Sequence, residues 1–329
     1  MLQRLFPHLL VLFKDGTSAT LTLFKVMVPI VIAVRLLQEF ELIALLAKPL
    51  GPAMRLVGLP PEMGLVWATA LLNNIYSAMI VFLSLVEHTP VTAAQATVLG
   101  VMVLIAHGLP VELSIARKSG PRLVFQALTR LGSALFLGWL LHMAYGRLDL
   151  LQGPARILLQ PEAGAGPVPW MQWAMDQLVN FASIYAIILS LLGLMRLLEA
   201  LGVIRLLNSL LKPILSLIGI GPKASAITVI GLSLGISYGG GLIIHGARSG
   251  DIDRRDVFYS LTLMGITHSL VEDTLLLVML GGHLSGLLWA RLFYSLVFVA
   301  LLVQIARRLP PGFCDNFLWG PAQTQGVRQ

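Results

Sequence analysis

Apolar residues run along this chain in long blocks separated by short polar ones. The blocks cover roughly 19–38, 64–87, 94–115 and 123–145, then 177–199, 224–247, 257–279 and 284–306. Most are long enough, at 1.5 Å of rise per residue, to cross a hydrocarbon layer about 30 Å thick as helices. Between the first two blocks of each set lies an amphipathic stretch with Lys or Arg and Pro (ELIALLAKPLGPAMRLVGL; GVIRLLNSLLKPILSLIGI). That pattern suits a helix lying in the membrane interface. The N-terminal residues 1–16 place Leu2, Leu5, Phe6, Leu9, Leu10 and Phe13 at helical spacing. They predict a separate interfacial helix rather than a cleaved signal peptide.

The two sets of blocks are copies. A shift of 161 positions places Arg35 on Arg196, Pro52 on Pro213, Gly58 on Gly219, His107 on His268, Glu112 on Asp273, Gly120 on Gly281 and Arg130 on Arg291 without a gap. Matched Pro, Gly, His, Arg and acidic positions at one offset mark an internal repeat. The expected organisation is a helix at 1–16, a first repeat at 17–145, an extracytoplasmic linker at 146–176 with Trp170 and Trp173 at the interface, a second repeat at 177–306, and an exposed cytoplasmic tail at 307–329.

Basic residues orient the copies. The loop at 116–122 carries Arg117, Lys118 and Arg122, whereas 88–93 carries none. In the second copy 247–256 carries Arg248, Arg254 and Arg255, whereas 280–283 carries none. Corresponding loops therefore belong on opposite sides of the membrane, with the basic ones and both termini cytoplasmic. An inverted repeat needs an odd number of crossings per copy, so one block of four must enter and leave on one side. The second block is chosen, because its middle is polar or Gly-rich: Asn73-Asn74-Ile75-Tyr76-Ser77, and Gly235-Ile236-Ser237-Tyr238-Gly239. The predicted fold is an all-α polytopic membrane protein with two inverted-topology repeats, about six transmembrane helices and two re-entrant helical hairpins. Eight plain spans with parallel halves are the alternative.

Composition agrees. Apolar residues make up 57% of the 329 and charged residues 12%, with a mean hydropathy of +0.84. A soluble domain has about twice that charge. The net charge of +7 belongs to loops and implies no nucleic-acid partner. Membrane lipids, a small solute or ion, and a second copy or another membrane subunit are the partner classes that remain. A single cysteine, Cys314, makes no intrachain disulfide or thiolate metal site. No Gly-x4-Gly-Lys-Ser/Thr loop, His-Glu-x-x-His or Gly-x-Ser-x-Gly occurs. No cofactor and no enzymatic activity are expected.

Candidate chemistry lies in the apolar blocks. His107 and His268 fall near the middle of the third block of each copy. Glu112 and Asp273 follow five residues later, with Glu272 beside the latter. Ionisable groups at such depth face a cavity, a partner or a pathway. Histidine with carboxylates suits proton relay, cation coordination or hydrogen bonding to a polar solute. Asn73, Asn74, Tyr76, Ser77, Ser237, Tyr238 and Gly239 at the hairpin tips are the expected substrate-binding residues. His107, Glu112, His268, Glu272 and Asp273 are the expected ion- or proton-coupling residues. A packing role remains open for both groups. Lys25, Arg35, Arg196, Arg130 and Arg291 read as interface anchors, since long basic side chains near span ends reach for water.

The doubled unit, the tips NNIYSA and GISYGGG, and the segments HGLPVE and HSLVED resemble the nucleoside-recognition or Gate-domain membrane proteins. That family includes spore maturation proteins and the membrane part of the bacterial ferrous-iron transporter. The resemblance covers about 17–145 and 176–306. It implies a carrier or gated pore of the bacterial inner membrane, with its site where the hairpin tips meet. A non-transporting scaffold or signalling component of spore-maturation type and a divalent metal ion transporter are the alternatives.

Overall fold

In the computed structural model residues 2–40, 42–158 and 169–320 are described, apart from scattered side chains that include Ile236, Ser237 and Tyr238. The described chain is helical, with one isolated antiparallel bridge between Thr92 and Pro154. The first repeat comprises α1 (Leu2–Glu39), short α2 (Ile43–Ala47) and α3 (Gly51–Leu56), α4 (Met63–Leu72), α5 (Ile75–Val86), α6 (Ala93–Ile105), α7 (Leu109–Ser119) and α8 (Leu123–Arg147). The second comprises α9 (Trp170–Ala200), α10 (Val203–Ile218), α11 (Pro222–Leu234), α12 (Ile236–Ser249), α13 (Arg254–Ile266), α14 (Glu272–Met279) and α15 (Arg291–Arg308), with α16 (Pro311–Phe317) after it. Among the described residues, four stretches are long and apolar enough to cross a membrane: Ala93–Ser119, Leu123–Arg147, Trp170–Ala200 and Ser285–Arg308.

The second blocks are hairpins. α4 packs on α5 and α11 on α12. Asn74 turns the first hairpin: its backbone is extended and its Oδ1 accepts from the Ser77 N–H at 2.9 Å, an N-cap for α5. The second hairpin turns at Gly235, whose φ of +93° suits glycine. Its arms touch at Gly231 and Gly239, where a Cβ on Gly239 would strike the Gly231 backbone.

The halves run antiparallel, as contacts at the two ends show. At one end the loop before α6 meets the segment after α8 and the loop after α14: the Ala155 N–H donates to the Val91 carbonyl, and the Leu158 N–H to the Met279 carbonyl. At the other end the loop before α8 and the start of α13 meet the C-terminal segment. The Arg122 N–H donates to the Leu318 carbonyl at 2.8 Å, and Arg254 pairs with Asp315 at 2.8 Å. Helix α8 separates these ends by about 37 Å at its 25 residues. Loop 88–93 and its copy at 249–254 thus sit at opposite ends, which is an inverted repeat. α1 and α9 run antiparallel to each other, with Thr17 bonded to Tyr185, Phe24 packed near Phe181 and Arg35 over Trp170.

Several boundaries differ from expectation. α1 continues from Leu2 to Glu39, with no break between a helix at 1–16 and a span. A lone glycine such as Gly16 costs about 1 kcal/mol in a helix, too little to stop one whose flanks propagate. The expected linker is already helical from Trp170, and its described part folds onto the start of α6. The expected exposed tail is packed as far as Gly320: Cys314, Leu318 and Trp319 are buried, and Trp319 meets the rings of Phe258 and Tyr259. Apolar residues in GFCDNFLW outweigh its polar ends. Residues 321–329 lie outside the described part.

Candidate functional site

The third block of each copy is a broken helix. The first stops at Ile105 and restarts at Leu109; the second stops at Ile266 and restarts at Glu272. Each histidine sits in the break, 14 residues past its helix start (93 to 107, 254 to 268). Because the halves are antiparallel, both breaks arrive at the same depth. The conformation is copied as well. Gly108 has φ of +57° and its counterpart Ser269 φ of +46°, although serine adopts the left-handed region only at a cost.

Broken helices leave carbonyls without intrahelical donors. His107 Nδ1 donates to the Val103 carbonyl at 3.0 Å and His268 Nδ1 to the Met264 carbonyl at 2.9 Å. A carbonyl only accepts, so Nδ1 carries the proton in both rings. The hairpins tie to the breaks through backbone bonds: the Gly108 N–H donates to the Ala70 carbonyl at 2.8 Å and the Leu270 N–H to the Leu232 carbonyl at 2.9 Å.

The two imidazoles face each other with Nε2 atoms 3.2 Å apart. Glu112 Oε1 lies 3.7 Å from His107 Nε2 and 3.6 Å from His268 Nε2. Asp273 Oδ2 lies 3.9 and 4.0 Å from the same atoms. All four residues are buried. Glu272 points elsewhere, accepting from the Tyr76 hydroxyl at 3.2 Å, and so links the second broken helix to the first hairpin.

Two residues expected at the interface lie at the centre instead. Arg130 is 2% exposed and Arg291 0%. Arg130 sits two turns inside α8, too deep to reach water. It pairs with Glu112 at 2.7 Å and donates to the Ile105 and His107 carbonyls at 2.8 and 2.9 Å. One guanidinium thus satisfies the break and the acid together. Arg291 donates to Thr274 Oγ1 at 3.1 Å, while its Nε and Nη1 find no hydrogen-bond partner among the described residues. Both arginines are matched positions of the repeat, and their depth within an apolar block is the sequence signal that separates them from interface anchors.

At the first hairpin tip the polar groups bind one another. Asn73 Nδ2 donates to Ser77 Oγ at 2.6 Å, and Asn74 Nδ2 to Asn73 Oδ1 at 3.1 Å. At the second tip Gly239 serves the close approach of the arms, and the Ser237 and Tyr238 side chains lie outside the described part.

Fold and site together are those of an all-α, multi-pass membrane protein. The chain is 24% identical over 302 residues, 90% of its length and 94% of the relative's, to a protein of Bacillus subtilis (strain 168) described as the uncharacterized membrane protein YvoD. No family model and no solved structure matches it.

Proposed function

We propose that the protein is a secondary transporter of a bacterial cytoplasmic membrane, moving a small polar solute or ion through a site on its two-fold axis. The observation that carries this reading is the meeting of His107 and His268, copies of one position, in facing helix breaks. Discontinuous helices at the midplane of an inverted repeat are how many transporters build a site and alternate its access. The buried Glu112, Asp273, Arg130 and Arg291 around them are costly in a membrane and mark a pathway. The basic end, with Arg117, Lys118, Arg122, Arg248, Arg254 and Arg255, faces the cytoplasm by the loop-charge rule. The likeness of the doubled hairpin-and-helix unit to Gate-domain proteins agrees with this.

Purified protein in vesicles loaded with a pH-sensitive dye and an ion-sensitive dye tests the reading, with nucleosides, amino acids and cations added in turn. Flux is expected for one class and is expected to vanish in a folded Asp273→Asn protein. Asn keeps the size and cannot ionise. The absence of flux for every class would favour the scaffold.

A further inference from the structure

We infer that His107, His268, Glu112 and Asp273 form a binding site for one first-row divalent transition-metal cation, of the Zn2+, Fe2+, Mn2+ and Co2+ class. This deepens the transport reading, on which only the cation's role as cargo or coupling ion rests.

The first argument is the direction of the lone pairs. Both Nδ1 atoms are committed to the Val103 and Met264 carbonyls. Both neutral rings therefore present Nε2 lone pairs, and these face each other across 3.2 Å. Two acceptors held that close repel unless they share a positive centre. Carbonyl bonds of this kind are also how proteins fix the tautomer of metal-binding histidines.

The second argument is the shape of the donor set. His107 Nε2 and His268 Nε2 lie 3.2 Å apart, with Glu112 Oε1 at 3.7 and 3.6 Å and Asp273 Oδ2 at 3.9 and 4.0 Å from them. Four ligands at ordinary Zn–N and Zn–O lengths stand about 3.3–3.4 Å from one another in a tetrahedron. The two nitrogens and either carboxylate lie close to that spacing, and the fourth ligand is completed when the Glu112 side chain moves toward Asp273. The two histidines and Asp273 alone bring one ligand atom each within 4.8 Å of one another.

The third argument is charge and ligand type. Glu112, Glu272 and Asp273 bring three carboxylates to this region against the two guanidiniums of Arg130 and Arg291. With neutral imidazoles one negative charge is left over, which favours a cation over an anion. Two imidazoles exclude a preference for Na+, K+, Ca2+ or Mg2+, which select oxygen, and the lack of a thiolate or thioether among the four ligands disfavours Cu(I). Arg130 supports the site from outside, since it holds Glu112 Oε2 and leaves Oε1 for the cation.

The test uses the full chain, purified, stripped with chelator and placed in lipid nanodiscs. Co2+ is the optical probe, and Zn2+ and Mn2+ are titrated by calorimetry. One ion per chain is expected, with a visible Co2+ spectrum of nitrogen–oxygen tetrahedral type and a rise in Tm on adding Zn2+. Asp273→Asn is expected to weaken binding at least tenfold. His107→Leu/His268→Leu, which replaces the facing rings by an apolar pair, is expected to abolish binding and the Tm rise while the protein stays folded. Absence of ion binding by the wild-type protein, or unchanged affinity in both variants, overturns the site. Should the double variant fail to fold, Asp273→Asn alone decides. Tight binding through these residues without Zn2+ or Mn2+ flux in vesicles leaves the site standing and refutes transport of the metal.

Discussion

Ser133 and Tyr294 are 161 positions apart and share a hydrogen bond of 3.0 Å, with the tyrosine donating. His107 and His268 are the same distance apart in the chain and meet at 3.2 Å. Residues at equivalent positions touch only on a two-fold axis. The axis therefore runs between α8 and α15 at one point and through the pair of histidines at another.

The arginines on either side of that axis are unequal, and their variants should be too. Arg130→Met leaves Glu112 buried without its partner and frees two carbonyls, a loss of about 3–5 kcal/mol. Arg291→Met removes one bond to Thr274 and is expected to cost less than half as much. Thermal melting in detergent measures both; equal losses would contradict the unequal hydrogen bonding of the two guanidiniums.

Gly108 and Ser269 share a left-handed backbone. Gly108→Ala is expected to destabilise by about 1–2 kcal/mol, because a Cβ is disfavoured there. Ser269→Gly is expected to melt near the wild-type temperature. Denaturant-dependent melting of the two proteins side by side checks the contrast.

Gly239 lies against the Gly231 backbone in the second hairpin. Gly239→Val is expected to push the arms apart, at about 1–3 kcal/mol for overpacking. Gly241, where a methyl group would meet no atom within 4 Å, is the matched control, and Gly241→Ala should leave the melting temperature unchanged.

The inverted arrangement predicts opposite accessibility for two copied loops. In a Cys314→Ser background, Thr89→Cys should react with an impermeant maleimide on intact cells. Asp251→Cys, at the exposed loop before α13, should react only after permeabilisation. Labelling of both from one side would rule out the inverted topology.

The repeat, the all-helical membrane fold and the hairpins were legible because Pro, Gly and polar residues punctuate an otherwise apolar chain. The breaks at the histidines were harder to read. Pro110 gave a hint in the first copy, and it sits in the first turn of α7, where proline is tolerated. The second copy, Thr267-His268-Ser269-Leu270-Val271, has neither Pro nor Gly. There the break is held by tertiary contact, the Leu270 N–H bonding to α11 at Leu232. Arg130 and Arg291 look like anchors in one dimension. Only the packing of α8 on α6 and α7, and the bond from Arg291 to Thr274 of α14, show what they hold.

Placing the histidines on the axis has a stoichiometric consequence. Doubling the unit has not doubled the site: each half supplies one imidazole and one acid, and neither half alone has a complete set. A ligand there belongs equally to both, one for every two units. A single unit could build the same centre only by pairing with a copy of itself inserted the other way up.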